Sequence, residues 1–484
     1  MQLAKSIIYR ARSREDEPAI ALTTGVATYG MLARAIESVV GRLAALDLPH
    51  GSVVVLDVKN PFHHMAILIG LALSGLASAS IQSRQHLLQT RVAPAAVLTD
   101  SQDFVLDGSR VFVVDEGWFL IDPARPVDYA RLFALPGFER PEEVVRVTFS
   151  SGTTGFPKAV ALTLEAAERR MLNAAVLRGG AGAIELRALN LMGFSTLMGF
   201  GTPFSTLGSG GIIAFAPDVT NAIHLIRLFR IEFLTATPLQ LNAMLKALEG
   251  KPPLTSLTLV ATGGSKLPPR MVTRIRDKLG PYITFAYGST EAGMMSAAGA
   301  ATLDVFPGSA GYLLPWVEMQ VVDPTGKPMP GEEDGIIRVK TSEVARYLSE
   351  TPDTTEMFRD GWFYPGDVGH LTADGIVYVT GRSDEVINRG GQIIAPEIIE
   401  ETLLGYPGIK DAAVFGHPNA EGIEDIWAAV VSDQWVDAAA VKQVIFSRMP
   451  DRFPDHVVQI EAIPRNEMGK VRRKELRERL AKAN

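Results

Sequence analysis

The chain has 484 residues and no cysteine. That length implies two or three domains, and the missing cysteine excludes disulfides, thiolate zinc sites and a cysteine nucleophile, which fits a reducing, cytoplasmic compartment. A formal net charge of −7, with 47% hydrophobic and 21% charged residues, is ordinary for a soluble globular protein and gives no field that would draw nucleic acid or an anionic membrane.

The N-terminus, MQLAKSIIYRARSREDEPA, has charges throughout and no long apolar core, so it does not read as a secretory signal. YGMLARAIESVVGRLAAL (29–46) carries apolar residues at helical spacing, and SVVVLDV (52–58) is a β-branched strand ended by Asn60-Pro61. The most apolar stretch, residues 65–79, falls short of the roughly 20 residues that span a bilayer. It predicts a buried helix over 64–75 rather than a membrane span. VFVVD (111–115) and VVRVTF (144–149) predict further strands, as do GIIAFAP (211–217) and FLTATP (233–238), with the helix NAIHLIRLFRI (221–231) between these last two. LTLVATGG (257–264) and ITFAYGST (283–290) are strands that run into glycine-rich loops. Alternation of this kind implies mostly parallel sheets with helices on both faces, and ligands at the carboxyl ends of the strands.

From about 311 the pattern changes to the short strands VEMQVVD, GIIRVK and IVYVTGR, divided by turns such as Pro324-Thr325-Gly326. Beyond Asp384 the signals run helix, strand, strand, helix, strand. The expected fold is therefore α/β. A large N-terminal domain, residues 1–382, holds layered, mostly parallel sheets with helices plus a small β-rich subdomain. A small mobile α+β C-terminal domain, residues 383–484, follows.

The strongest local signal is SSGTTGFPK (150–158), directly after VVRVTF. Ser150, Ser151, Gly152, Thr153, Thr154 and Gly155 are small and polar, so they expose backbone N–H groups and let a phosphate chain approach closely. Lys158 can neutralise phosphate charge. No G-x-x-x-x-G-K-[ST] loop occurs anywhere in the chain, and taken alone the segment is equally a flexible turn. The eight histidines make no zinc-ligand spacing, and no G-x-S-x-G elbow supports a serine hydrolase.

Five more segments follow in order: TGGSKLP (262–268), YGSTEAG (287–293), GWFYPGDVG (361–369), GRSDEVINRGGQIIAPEIIE (381–400) and IPRNEMGKVRRKEL (463–476). Together with SSGTTGFPK they resemble the adenylate-forming superfamily of acyl-CoA synthetases, aryl-acid ligases, peptide-synthetase adenylation domains and luciferases. The order and spacing agree from about residue 20 to 476.

The resemblance implies an ATP- and Mg²⁺-dependent, AMP-forming ligase. It converts a carboxylic acid to an acyl-adenylate, then transfers the acyl group to coenzyme A or to the pantetheine thiol of an acyl or peptidyl carrier protein. A ligase dedicated to a carrier protein is the nearest alternative, and a non-catalytic nucleotide-binding protein a more distant one. Attack of a carboxylate on the α-phosphate needs negative charge neutralised, hence a metal ion and cations where charge develops. Glu291 is the candidate Mg²⁺ ligand, and Thr290 offers a hydroxyl to the phosphate. Tyr287 would stack on adenine against a wall of Gly263, Gly264 and Ser265, and Gly288 and Ser289 complete that stretch. Asp367 suits two ribose hydroxyls, with Arg382 on the other side. Lys470 matches the lysine that bridges carboxylate and phosphate. Arg472, Lys474, Arg477 and Arg479 read instead as the solvated face of a helix. Asp384 falls at the hinge, and Gly390 and Gly391 resemble the loop that lines the thiol tunnel.

Departures from the pattern bear on the acid. Many acyl and aryl ligases have an aromatic–histidine step in the segment that reads LNLMGFSTLMGFGTP here (189–203). This chain has Phe194-Ser195 and no histidine in the segment. The aspartate of amino-acid-activating relatives is absent too. Phe194, Ser195, Met198, Gly199, Ala292 and Met294 are the candidate acid pocket, with Met192 and Met295 beside them. They predict an alkyl or aryl acid that is apolar near its carboxylate and bears no α-ammonium, because burying an unpaired ammonium costs several kcal/mol.

Overall fold

The computed structural model describes residues 2–81, 84–90, 92–106, 108–119, 125–150, 158–177, 185–348, 352–383, 385, 387–389, 392–394, 396–419, 424–449, 453–466 and 469–481. The chain forms two compact units. Met1–Pro307 together with Thr341–Glu356 make the first, and Gly308–Lys340 together with Met357–Asn484 make the second.

The first unit contains two sheets. In one, the strands run Gly293–Gly299, Tyr282–Ser289, Leu259–Gly263, Phe233–Thr235, Arg187–Asn190, Ile212–Phe215, Pro18–Leu22 and Gly25–Thr28. All its inner pairings are parallel, and only the two outermost are antiparallel. The other runs Arg346–Tyr347, Lys158–Thr163, Val144–Ser150, Ala77–Ser80, Val53–Asp57, Ala96–Thr99 and Val111–Val113. It is parallel from Val144–Ser150 onward. The runs at 52–58, 111–115, 144–149, 211–217, 233–238, 257–264 and 283–290 all form strands, with ends within three residues of those expected, and the remaining strands of the two sheets were not expected.

The apolar stretch after Asn60 is the helix Pro61–Leu73, and every residue from His64 to Leu73 is buried. A helix apolar all round has no solvent face to offer, which is why it reads as a membrane candidate without being one. It starts three residues before the expected 64. Asn60 accepts hydrogen bonds from the N–H groups of Phe62 and His63, and Pro61 occupies the first turn. The Asn-Pro pair thus ends one element and caps the next. Among the described residues no helix is long and apolar enough to cross a membrane.

The second unit opens with a sheet of short antiparallel strands, among them Gly335–Thr341, Asp367–Leu371, Ile376–Arg382 and Gly311–Leu313. This is the β-rich segment expected from 311. Next come the helix Pro396–Leu404, the strands Ile409–Pro418 and Glu424–Ser432, the helix Ala438–Arg448, the strand His456–Gln459 and the helix Arg473–Ala481. Their core is built on Ile399, Leu403, Val414, Ile426, Val430, Val441 and Ile445.

Candidate active site

In the first unit, the strands Val144–Ser150 and Lys158–Thr163 pair antiparallel with Ser150 opposite Lys158. The two residues are the feet of the glycine-rich hairpin. Ser151, Gly152, Thr153, Thr154 and Gly155 lie outside the described residues. Lys158 Nζ stands 5.9 Å from the ring centre of Tyr347, which reaches it by pairing with Val160. The Tyr347 hydroxyl donates to Glu291 Oε1 at 2.9 Å. Burial, and then the Glu291 charge, push the Tyr347 phenol well above its usual range, so it stays a neutral donor. A cation, a hydroxyl and a carboxylate are thereby set side by side, and Tyr347 joins a site in which sequence reading gave it no place.

Glu291 is itself buried. Its carbonyl oxygen accepts from the Ala345 N–H at 2.7 Å, which anchors the turn that follows the strand Tyr282–Ser289. Ser289 Oγ accepts from the Ala292 N–H at 3.0 Å, and Thr290 sits half-buried between them. Among the described residues no three histidines or carboxylates gather in a way that could hold a metal ion. A single buried carboxylate bonded to the Tyr347 hydroxyl fits Mg²⁺, which takes its remaining ligands from phosphate and water. It does not fit an all-protein cage.

Tyr287 is half-buried on the strand Tyr282–Ser289, and Gly288 is exposed beside it. The neighbouring strand ends at Gly263, where an added Cβ would lie 2.5 Å from the Ala286 carbonyl oxygen. Only glycine lets the two strands lie so close. Gly264 is exposed and Ser265 half-buried at the edge of that surface.

Of the candidate acid-pocket residues, Phe194, Ser195, Met198 and Gly199 lie at the start of the helix Leu197–Ser209, while Ala292 and Met294 lie at the start of the strand Gly293–Gly299. Thr196 caps it by accepting from the Gly199 N–H at 2.9 Å. Ser195 and Met198 are half-buried, and Gly199 and Ala292 are buried. Met294 is half-buried while Met295 is wholly buried, as alternation along the strand Gly293–Gly299 requires. Met192 is buried as well. Met192 and Met295 therefore belong to the core.

The Phe194 ring stacks on His64, with centroids 4.2 Å apart and planes 7° from parallel. The histidine missing from the segment in sequence is thus present beside it in space, supplied by the helix Pro61–Leu73. His64 Nδ1 donates to the Val58 carbonyl at 2.7 Å, so Nε2 is left to accept from Ser80 Oγ at 2.8 Å. Burial pushes the ring down to about 3, and His64 is neutral.

Arg146 completes the cluster. It is 0% exposed and donates to Ser78 Oγ at 3.0 Å, Ser80 Oγ at 2.9 Å and the Phe194 carbonyl at 2.5 Å. Its guanidinium lies 4.7 Å from the Phe200 ring centre, and burial pulls its pKa down to about 9. The signal was in the sequence: Arg146 is the one charged residue in the strand Val144–Ser150. Arg146→Leu would leave the Phe194 carbonyl and both serines without their donor. A stability loss of about 1–3 kcal/mol is expected, read from the urea midpoint, together with a raised KM for the acid. Unchanged acid saturation would show that Arg146 does not hold the Phe194 corner.

In the second unit, Asp367 and Arg382 face each other on paired strands. Arg382 Nη1 donates to Asp367 Oδ1 at 2.8 Å and to the Pro365 carbonyl at 2.7 Å. Lys470 is exposed, yet its backbone is fixed. Its N–H donates to Asn466 Oδ1 at 2.9 Å, and its carbonyl accepts from the Asn466 N–H at 2.9 Å. Arg465, paired with Asp411, donates to the preceding Gly469 carbonyl at 2.6 Å. Of the basic residues after Lys470, Arg472, Lys474 and Arg479 are exposed and Arg477 is half-buried. Arg473, in their midst, is buried against Glu385, Glu397 and Glu400, a role that the basic run hid. Asp384, Gly390 and Gly391 lie outside the described residues.

A profile of the AMP-binding enzyme family matches residues 9–348, and one of the AMP-binding enzyme C-terminal domain matches residues 398–470. An indoleacetate–CoA ligase of Aromatoleum aromaticum is 27% identical, over 100% of this chain and 99% of its own. A fatty acid–[acyl-carrier-protein] ligase, ScoC, of Streptomyces coeruleorubidus is 27% identical over 99% and 96%. A 4-chlorobenzoate–CoA ligase of an Arthrobacter species is 27% identical over 94% and 90%. Among solved structures, the O-succinylbenzoate coenzyme A synthetase MenE of Bacillus subtilis in complex with AMP shares the fold with a TM-score of 0.84, at 22% identity over 97% of each chain. ATP-bound MatB of Rhodopseudomonas palustris shares it with a TM-score of 0.83, at 23% identity over 98% of each.

Proposed function

The chain belongs to the AMP-binding enzyme family, and from that premise we propose that it activates a carboxylic acid as its acyl-adenylate and passes the acyl group to the thiol of coenzyme A. The observation that carries this reading is the run from Lys158 over Tyr347 to Glu291, at the foot of the glycine-rich hairpin. The acceptor is argued from relatives named as CoA ligases. A relative named for an acyl-carrier protein supports a second reading, in which a pantetheine arm takes the acyl group.

In the first half-reaction a carboxylate oxygen attacks the α-phosphorus of ATP, and the bond to pyrophosphate breaks. The hairpin amides and Lys158 hold the phosphates, Tyr287 and the Gly263 wall take the adenine, and Asp367 takes the ribose hydroxyls. Mg²⁺ held by Glu291 would neutralise charge on the phosphates. Tyr347 keeps the Glu291 carboxylate aimed, Thr290 bonds a phosphate oxygen, and Lys470 adds a cation where negative charge grows. In the second half-reaction the thiol attacks the acyl carbon and AMP leaves. Residues 383–484 turn about Asp384 between the two, and Gly390 and Gly391 line the path of the thiol. The acid is alkyl or aryl, apolar near its carboxylate.

The test is pyrophosphate release with ATP and a panel of fatty, aryl and amino acids, with and without coenzyme A. Release with alkyl or aryl acids and a thioester product with coenzyme A are expected. Preference for an amino acid or for acetate would sink the acid assignment, and adenylate without thioester would favour the carrier protein. Asp384→Pro separates the steps, since proline fixes φ and restricts rotation. Adenylation is expected to survive better than thioester formation, and equal loss of both would move the hinge elsewhere.

A further inference from the structure

The turn that carries Glu291 is held from behind by a second arginine. The helix Leu164–Leu177 buries Arg170 along with Leu164, Ala166 and Ala167. Arg170 Nη1 donates to the Thr290 carbonyl at 2.9 Å. Nη2 donates to the Glu291 carbonyl at 2.8 Å and to the Glu343 carbonyl at 2.6 Å. One planar guanidinium thus takes the carbonyls of two successive residues and fixes both peptide planes, a geometry that a lysine point charge does not reproduce.

Glu343 packs against Arg170. It is 0% exposed, its Oε2 lies 3.9 Å from Arg170 Nε, and its Oε1 accepts from Asn173 Nδ2. Room for that carboxylate comes from Gly293, at φ +75, where an added Cβ would lie 2.2 Å from Glu343 Oε2. Ala345, two residues on, donates to the Glu291 carbonyl that Arg170 also binds. Arg170, Glu343 and Ala345 therefore converge on the backbone of Thr290 and Glu291, while Tyr347 holds the Glu291 carboxylate.

We propose that Arg170 and Glu343 are positioning residues that hold the Thr290–Glu291 turn in its magnesium-binding conformation, and so set the metal requirement of the enzyme. The proposal rests on Glu291 as the Mg²⁺ ligand. Groups that orient metal ligands are typically worth 10–100-fold in metal affinity. A helix-packing role alone would lower stability and leave metal dependence untouched.

The experiment measures pyrophosphate release by the full chain against free Mg²⁺, at saturating ATP and acid, for Arg170→Lys and the isosteric Glu343→Gln. The Mg²⁺ concentration for half-maximal rate is expected to rise about 10–100-fold for Arg170→Lys and less for Glu343→Gln, with KM for the acid unchanged. If Arg170→Lys fails to fold, Glu343→Gln alone carries the test. Folded variants with the parent's Mg²⁺ dependence overturn the proposal, whatever their melting temperatures. Glu291→Gln separates the two ideas. If it too leaves Mg²⁺ dependence unchanged, the metal-ligand reading has failed. If it shifts the dependence and the other variants do not, the positioning proposal alone has failed.

Discussion

Lys470→Ala is expected to lower adenylate formation by about 100-fold or more, while the fold and ATP affinity stay close to those of the parent. The Lys470 side chain is exposed, so its loss leaves no cavity. Its segment is held by other groups: Asn466 bonds both its N–H and its carbonyl, and Arg465 bonds Gly469. The truncated residue would therefore keep its place and lose only its charge. A cation that acts where charge develops in the transition state lowers kcat when removed and leaves ground-state binding largely intact. The measurement is single-turnover formation of the acyl-adenylate, with ATP binding followed separately by calorimetry. Near-parental adenylation would remove Lys470 from the mechanism.

The sequence showed the elements best where period and burial agree. Val53–Asp57 and Val144–Ser150 are rich in β-branched residues, with Val54–Asp57 and Val145–Thr148 buried, and Tyr29–Ala45 repeats its apolar residues at helical spacing. The helix Leu197–Ser209 was not legible. It contains Gly199, Gly201 and Pro203, residues of low helix propensity, and burial overrides that preference. Thr196 capping and the packing of Phe200 and Phe204 are what sustain it.

Within the site, groups adjacent in the chain were legible: the hairpin feet Ser150 and Lys158, and the Thr290–Glu291 turn. Partners distant in the chain were not. Nothing in LNLMGFSTLMGFGTP points to His64, and nothing in YGSTEAG points to Arg170, Glu343 or Tyr347. Such contacts come from strand order and helix packing, which a local motif does not encode. One anomaly was nonetheless open to reading. A charged residue within a buried strand, as at Arg146, must find partners or lower its charge.

Arg473→Met is expected to cost about 3–5 kcal/mol of stability, the range for breaking one partner out of a buried ionic cluster. Arg473 is buried at the first turn of the last helix, three residues beyond Lys470. It donates to Glu385, to Glu397 at 3.1 Å, to Glu400 at 2.7 Å and to the Val414 carbonyl at 2.9 Å. Burial works against its charge, but the three carboxylates more than offset that and hold its pKa above the usual range. The arginine is charged at every working pH, so its own titration contributes no pH dependence. Removing it leaves three carboxylates crowded together without their cation, and methionine fills the volume but supplies no donor. Glu385 directly follows Asp384, the proposed hinge, so the same change also unties the segment at Glu385 from the helix after Lys470. The variant should therefore lose stability and, in whatever fraction stays folded, adenylation. Urea unfolding followed by tryptophan fluorescence reads the loss, since Trp427 and Trp435 both lie in the second unit. Arg473→Lys should recover only part of it, because one ammonium cannot reach all four acceptors in the plane that the guanidinium spans. A midpoint equal to the parent's for Arg473→Met would mean that the three carboxylates find other partners, and that Arg473 does not hold the segment together.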